Sequence, residues 1–412
     1  MAEDLIKTSI KHQPIKKLGT IGIILIIPLI GTRIILRELQ LYNDNQLVQN
    51  CEGQQICAGR IQAIENLVKA SYRLEQINLE KAKLNDANLK GAKLNGANLN
   101  DAHLNGAHLN DANLNGAHLS DTNLNNAELI GASLNKVNLK GANLNNAELN
   151  NAELNNAELN NAELIGASLN SAHLNSANLI GANLNDANLE DAKLIGANFN
   201  NARLKGANLN STDLYAANFI GANLNNAKLN NARLIGANLN GANLIGAKLI
   251  NSEFNGANLI GAKLINANLN GANLIGAKLI NSEFNGANLI DAKLIGANLN
   301  NAKLINANFI DSNFNEAKLI NANLRSANLN GANLNNADLI GADLQSANLR
   351  SANLNNADLI GANLKSSNFH SAKGLTPEQV KKAKNWELAY YDPEFRSQLG
   401  LPPESTEVKR SN

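Results

Sequence analysis

Between Arg73 and Phe369, Leu or Phe returns at every fifth residue, from Leu74, Leu79 and Leu84 onward, through 60 consecutive units without an insertion or deletion. We take that residue as the centre of each unit. Two positions earlier stands Ala almost throughout, as in Ala82, Ala87 and Ala92, with small substitutes such as Thr122, Thr212, Ser252 and Ser282. A polar residue separates the two. Two positions after the centre the chain has Gly, Asn, Asp or Ser, with only Gln76, Lys81, Lys136, Ala216 and Glu316 departing from that set. Those are residues that turn the backbone cheaply. A step of five rotates a helical side chain by about 140°, which smears Leu around the whole cylinder, so no helix has an apolar face here. A continuous strand fails too, because the apolar spacing runs two, three, two, three, where strict alternation needs two throughout. The pattern predicts an all-β solenoid: a short extended side with its small residue and Leu inward, a corner, then the next side, with successive coils hydrogen-bonded to one another.

The units read A(N/D/K/E)LXX, as in GANLNDANLEDAKLIGANFNNARL from Gly181 to Leu204. This resembles the pentapeptide-repeat family, frequent in cyanobacteria, and the likeness covers about 300 of the 412 residues. The resemblance implies a right-handed quadrilateral β-helix with four units per coil. Sixty units would then make about 15 coils and, at the ~4.8 Å inter-strand spacing, a rod of roughly 70 Å.

The flanks divide the rest of the chain. Residues 1–17 form a polar lead. LGTIGIILIIPLIGT, Leu18–Thr32, has no charge, and with snorkelling Lys17 and Arg33 the segment 18–36 is expected to be a transmembrane helix. Lys7, Lys11, Lys16 and Lys17 before it outnumber Arg33 and Arg37 after it, which predicts a cytoplasmic lead and a rod in the periplasm or a thylakoid lumen. Residues 37–57 read as a connector containing the only cysteines, Cys51 and Cys57, which are either unpaired or joined as a disulfide closing CEGQQIC. Residues 58–72 carry Ile61, Ile64, Leu67 and Val68 at helical spacing and are expected to cap the first coil, whose edge would otherwise pair with other chains. The repeat occupies 73–373. In 374–412, Thr376, Pro377 and Gln379 predict a capped helix whose apolar side is Val380, Ala383, Trp386, Tyr390 and Tyr391, followed by a tail. The GLTPEQ, NWE and Tyr pattern resembles the C-terminal cap of cyanobacterial members of the family.

Charge and candidate chemistry narrow the function. From Tyr72 to Lys373 there are 23 acidic and 22 basic residues. Glu148, Glu153, Glu158 and Glu163 fall on four successive sides, and His103, His108 and His118 on three, so neither group has the geometry of metal ligands. Nucleophile groupings, phosphate loops and dinucleotide fingerprints are missing, which predicts a non-enzymatic protein without cofactor or metal. Ile follows the centre at 19 positions, and with 20 residues to a coil Ile180, Ile220, Ile260, Ile280, Ile320, Ile340 and Ile360 share one side, a candidate ridge for a partner or for self-association. The leading expectation is a membrane-anchored rod that serves as a structural or protein-interaction module with an unknown protein partner and no nucleic acid. The alternative implied by the resemblance is a DNA mimic that binds gyrase, but mimicry needs the dense negative charge of a duplex.

Overall fold

The computed structural model describes residues 30–52 and 54–403. Its repeat is a parallel ladder in which each residue before a centre bridges to the one 20 positions on, from Arg73 with Lys93 to Asn353 with Lys373. One coil is therefore four units with four sides. Every centre from Leu74 to Phe369 is at most 2% exposed, as are the small residues from Ala82 to Ala362. Where Phe replaces Leu in adjacent coils the rings stack, Phe199 on Phe219 at 4.8 Å and 1°. Small hydroxyls in the Ala position turn back to the backbone, as Ser252 Oγ does to the Leu249 carbonyl at 2.6 Å.

One unit shows why these residues fold this way. Asn243 N–H donates to the Ala222 carbonyl (2.9 Å), Leu244 N–H to Lys263 (2.7 Å), Gly246 N–H to Ile265 (2.9 Å), and Ala247 N–H to Leu244 across the corner (3.0 Å). That leaves Ile245 N–H, which the Asn243 side-chain carbonyl accepts at 3.3 Å. All five donors of the unit are satisfied, four by backbone and one by a side chain. The corner itself has positive φ only at its third residue, the signature of a type II turn. Asn, Asp, Ser and Gly hold that position most often, yet Ala216 sits there at φ 54°.

Two helices close the N-terminal end. In α1 (Ile30–Asn50) and α2 (Arg60–Lys69), Val48, Ala63, Ile64 and Leu67 are buried and join the solenoid core. The open edge of the first coil is occupied by Gln55, whose carbonyl accepts Lys83 N–H at 3.3 Å, and by Glu65, whose Oε1 accepts Asn88 N–H at 2.8 Å. Cys51 and Cys57 are joined as a disulfide, Cα to Cα 5.8 Å, and buried Arg60 donates to the carbonyls of Cys51 and Gln54 inside that loop.

The N-terminal expectations need correction. Much of the apolar segment 18–36, and the whole lead 1–17, lie outside the described residues. Its described end is the beginning of α1, which carries Arg33, Arg37, Glu38 and Asp44 and packs its second half against α2, and among the described residues no helix is long and apolar enough to cross a membrane. The periplasmic or lumenal placement of a membrane-anchored rod is overturned on that ground, and among the described residues neither a transmembrane helix nor the membrane as a partner finds support. Residues 37–50 are likewise helix where a connector was expected.

The C-terminal end is closed by imitation of the ladder. Thr376 caps α3 (Pro377–Lys381) in a reciprocal box with Gln379, but the helix stops there and does not run on through the Tyr pair. Instead Lys384 bridges to Asn363 and Tyr390 to Asn368, so two further sides are added in a looser register. Tyr391, 1% exposed, stacks on Phe369 at 5.5 Å and meets Phe395 of α4 (Pro393–Leu399) at 5.6 Å.

Replacing Ala242 with Leu is expected to overpack the interior and cost about 1–3 kcal/mol or more. Asn243→Leu removes only the side-chain acceptor of Ile245 N–H at a half-buried site, and should cost at most about 1 kcal/mol. Thermal melts of the two variants compare them directly. At the corners, Ala216→Gly relieves about 1–2 kcal/mol of left-handed strain against about 0.5–1 kcal/mol of chain entropy. The melting temperature should rise with Ala216→Gly and fall with Gly256→Ala, whose added Cβ meets no atom within 4 Å and so reports the strain, net of chain entropy, without a steric clash.

Candidate interaction surface

The ladder fixes where each outward side chain goes. Residues before the centre and residues after it form two columns on each side, repeating every 20 positions. Asn fills much of both, and its amide bonds locally. Its carbonyl accepts the N–H after the centre either from its own unit, as Asn238 does from Asn240 at 3.3 Å, or from the coil above, as Asn230 does from Ile250 at 3.0 Å. Its amide also donates along the column, as in Asn348 to Asn328 at 3.1 Å. The abundance of Asn is thus a backbone requirement as much as a surface property, a role that sequence reading missed although the frequency of Asn at these two positions signals it.

Charges pair along columns in the same manner. Arg233 reaches Asp213 at 2.9 Å and Glu253 at 3.7 Å, and Lys303 reaches Glu283 at 2.9 Å. His108 Nδ1 lies 2.9 Å from Glu128, and this imidazole together with Asn110 holds the half-exposed Glu128 carboxyl below the usual range. Glu148, Glu153, Glu158 and Glu163 stand on four different sides, and His103, His108 and His118 on three. Among the described residues no three His, Cys, Asp or Glu are grouped to hold a metal ion. Two shallow cavities of about 460 and 470 Å³ lie at the ends of the rod, one beside Cys57, Arg60 and Lys83, the other beside Asn356, Gln379 and Lys382.

The Ile ridge is brought onto one side, but unevenly. Ile260 and Ile280 occupy adjacent coils, as do Ile320, Ile340 and Ile360, whereas Asn200 separates Ile180 from Ile220. Ile220 and Ile360 are 39% and 44% exposed and the other five are half-buried.

A 20-residue ladder with Leu and Ala inside can be compared with known proteins. The pentapeptide-repeats family matches in overlapping segments that run from residue 73 to 373. The chain belongs to the pentapeptide-repeat family. Its β-helix is right-handed, as in that family. Among solved structures it is similar to HetL, a pentapeptide repeat protein involved in heterocyst differentiation regulation from the cyanobacterium Nostoc sp. strain PCC 7120. That match has 36% identity over 50% of this chain and 88% of the other, with a TM-score of 0.25. It is similar also to Rfr23 from the cyanobacterium Cyanothece 51142, at 38% identity over 21% of this chain and 54% of that one, TM-score 0.13. QnrB1, a plasmid-mediated fluoroquinolone resistance protein, matches at 21% identity over 40% of this chain and 82% of its own, TM-score 0.35. No curated protein matches. Among the described residues, then, this pentapeptide-repeat chain offers four long polar sides as its largest surface.

Proposed function

We propose that this pentapeptide-repeat protein acts without catalysis, as an end-capped rod that engages protein partners along its sides. The observation that supports this reading is the neutrality of those sides: acidic and basic residues balance over the rod, and some pair within their own columns, as Arg233 does with Asp213 and Glu253 and Lys303 with Glu283. A surface whose charges nearly cancel offers little long-range steering for polyanions or polycations, and suits short-range contacts through amides and half-buried Ile. Catalysis would need titratable groups converging in a cleft. The shallow cavities at the two ends are a poor basis for it.

The reading as a DNA mimic asks for more charge than the rod has. A duplex carries one negative charge per ~1.7 Å, so a rod of roughly 70 Å would present about 40. The repeat has a net charge of −1 from 23 acidic and 22 basic residues. At stoichiometric concentration the purified protein is expected to leave gyrase supercoiling unchanged and not to compete with duplex DNA for the enzyme. Inhibition of supercoiling at that ratio would reject this reading in favour of mimicry.

A further inference from the structure

One side of the rod differs from the other three. From Asn178 to Gly261 the five residues before its centres are all Asn, the five after them alternate Ile and Asn from Ile180 to Ile260, and its corners are Gly or Asn. Five consecutive coils therefore carry no charge there. No other side runs more than three coils without Asp, Glu, Lys or Arg. The charges that end the block are Glu158 on one flank and Lys278 on the other, each three coils from Asn218.

We propose that this side is an isologous interface, on which two copies of the chain pack antiparallel about a two-fold axis at the coil of Asn218 and Ile220. Such an axis lies in the plane between the two faces and reverses one rod while keeping each column opposite its own counterpart. The order Ile, Asn, Ile, Asn, Ile reads the same in both directions. Ile220 then meets Ile220 of the second copy, Ile180 meets its Ile260, and Asn200 meets its Asn240. Glu158 faces Lys278 of the second copy, and the symmetry repeats this pair at the other end. No uncompensated charge within the block has to leave water, and an unpaired one would be costly. The Asn amides keep bonds along the column, as Asn258 does to Asn238 at 3.3 Å, so the contact does not strand them.

The position of the axis strengthens the case for a second copy as the occupant. Asn218 lies within one unit of the midpoint between Leu74 and Phe369, so two rods related by this axis overlap along their whole length. A side of about three extended residues is ~10 Å wide, so the seven coils from Glu158 to Lys278, about 34 Å long, give about 340 Å² per copy, below the ~800 Å² of a standard stable interface and in the range of a weak, reversible contact. Ile220, at the axis, is 39% exposed in the single chain.

Sedimentation of the full chain over a concentration series tests the proposal, with melting curves to confirm that each variant is folded. The wild type should form a reversible dimer. Ile220→Lys, which sets two lysines against each other on the axis, should raise the dissociation constant at least about tenfold, and Glu158→Lys should also weaken the dimer. Combining Glu158→Lys with Lys278→Glu should restore it, which loss of folding could not mimic. Ile235→Lys, at the equivalent position on another side, should leave association unchanged. A chain that stays monomeric throughout overturns the proposal. So does association that is indifferent to Ile220→Lys and to both charge reversals, because the contact would then lie elsewhere.

Discussion

The hydrogen bonds between each coil and its neighbours, in which Leu244 donates to Lys263 and Lys263 donates back to Ala242, depend on a fixed spacing of 20 residues. A single inserted residue would move every following side chain to the wrong face, as a register slip does in any sheet. This accounts for 60 units without an insertion or deletion better than any demand of packing alone. It also sets the interior: with four short sides around one axis, only a small residue and a Leu or Phe per unit can point inward, and they do so at 2% exposure or less over nearly the whole run.

Much of this was legible in the chain. The apolar spacing of two and three excludes helix and continuous strand, and the turn formers mark the corners, so the inward and outward assignments follow from period alone. Four units per coil did not follow from it; the number came from family resemblance and is fixed by the bridges between residues 20 apart. The ends were less legible, because a cap is built from local exceptions. Lys384 and Tyr390 pair with Asn363 and Asn368 at spacings of 21 and 22, which no repeat pattern contains. At the other end, hydropathy read 18–36 as one element, whereas the described helix starts within it and continues through Arg37, Glu38 and Asp44 to Asn50.

The surface was the hardest part to read. A side chain's neighbours along a column are 20 residues away in sequence, so the ion ladder of Asp213, Arg233 and Glu253 looks like scattered charge until the coil length is known. Asn has two tasks there: it completes the backbone hydrogen bonding and it keeps the sides neutral. The Ile ridge was visible as a column of seven, but the feature that sets that side apart is the uncharged block from Asn178 to Gly261, flanked by Glu158 and Lys278.

The central claim is that the backbone forms one continuous ladder closed at both ends, with one donor entrusted to a side chain in most units. Residue-resolved amide hydrogen exchange addresses it most directly. The N–H groups of the centres and of the corner residues two positions after them should be strongly protected from Leu84 to Leu349, while the N–H just after the centre, held in most units by an Asn or Asp carbonyl at the surface, exchanges faster in the same units. Equal protection of all five donors, or protection confined to isolated blocks of coils, would contradict the account.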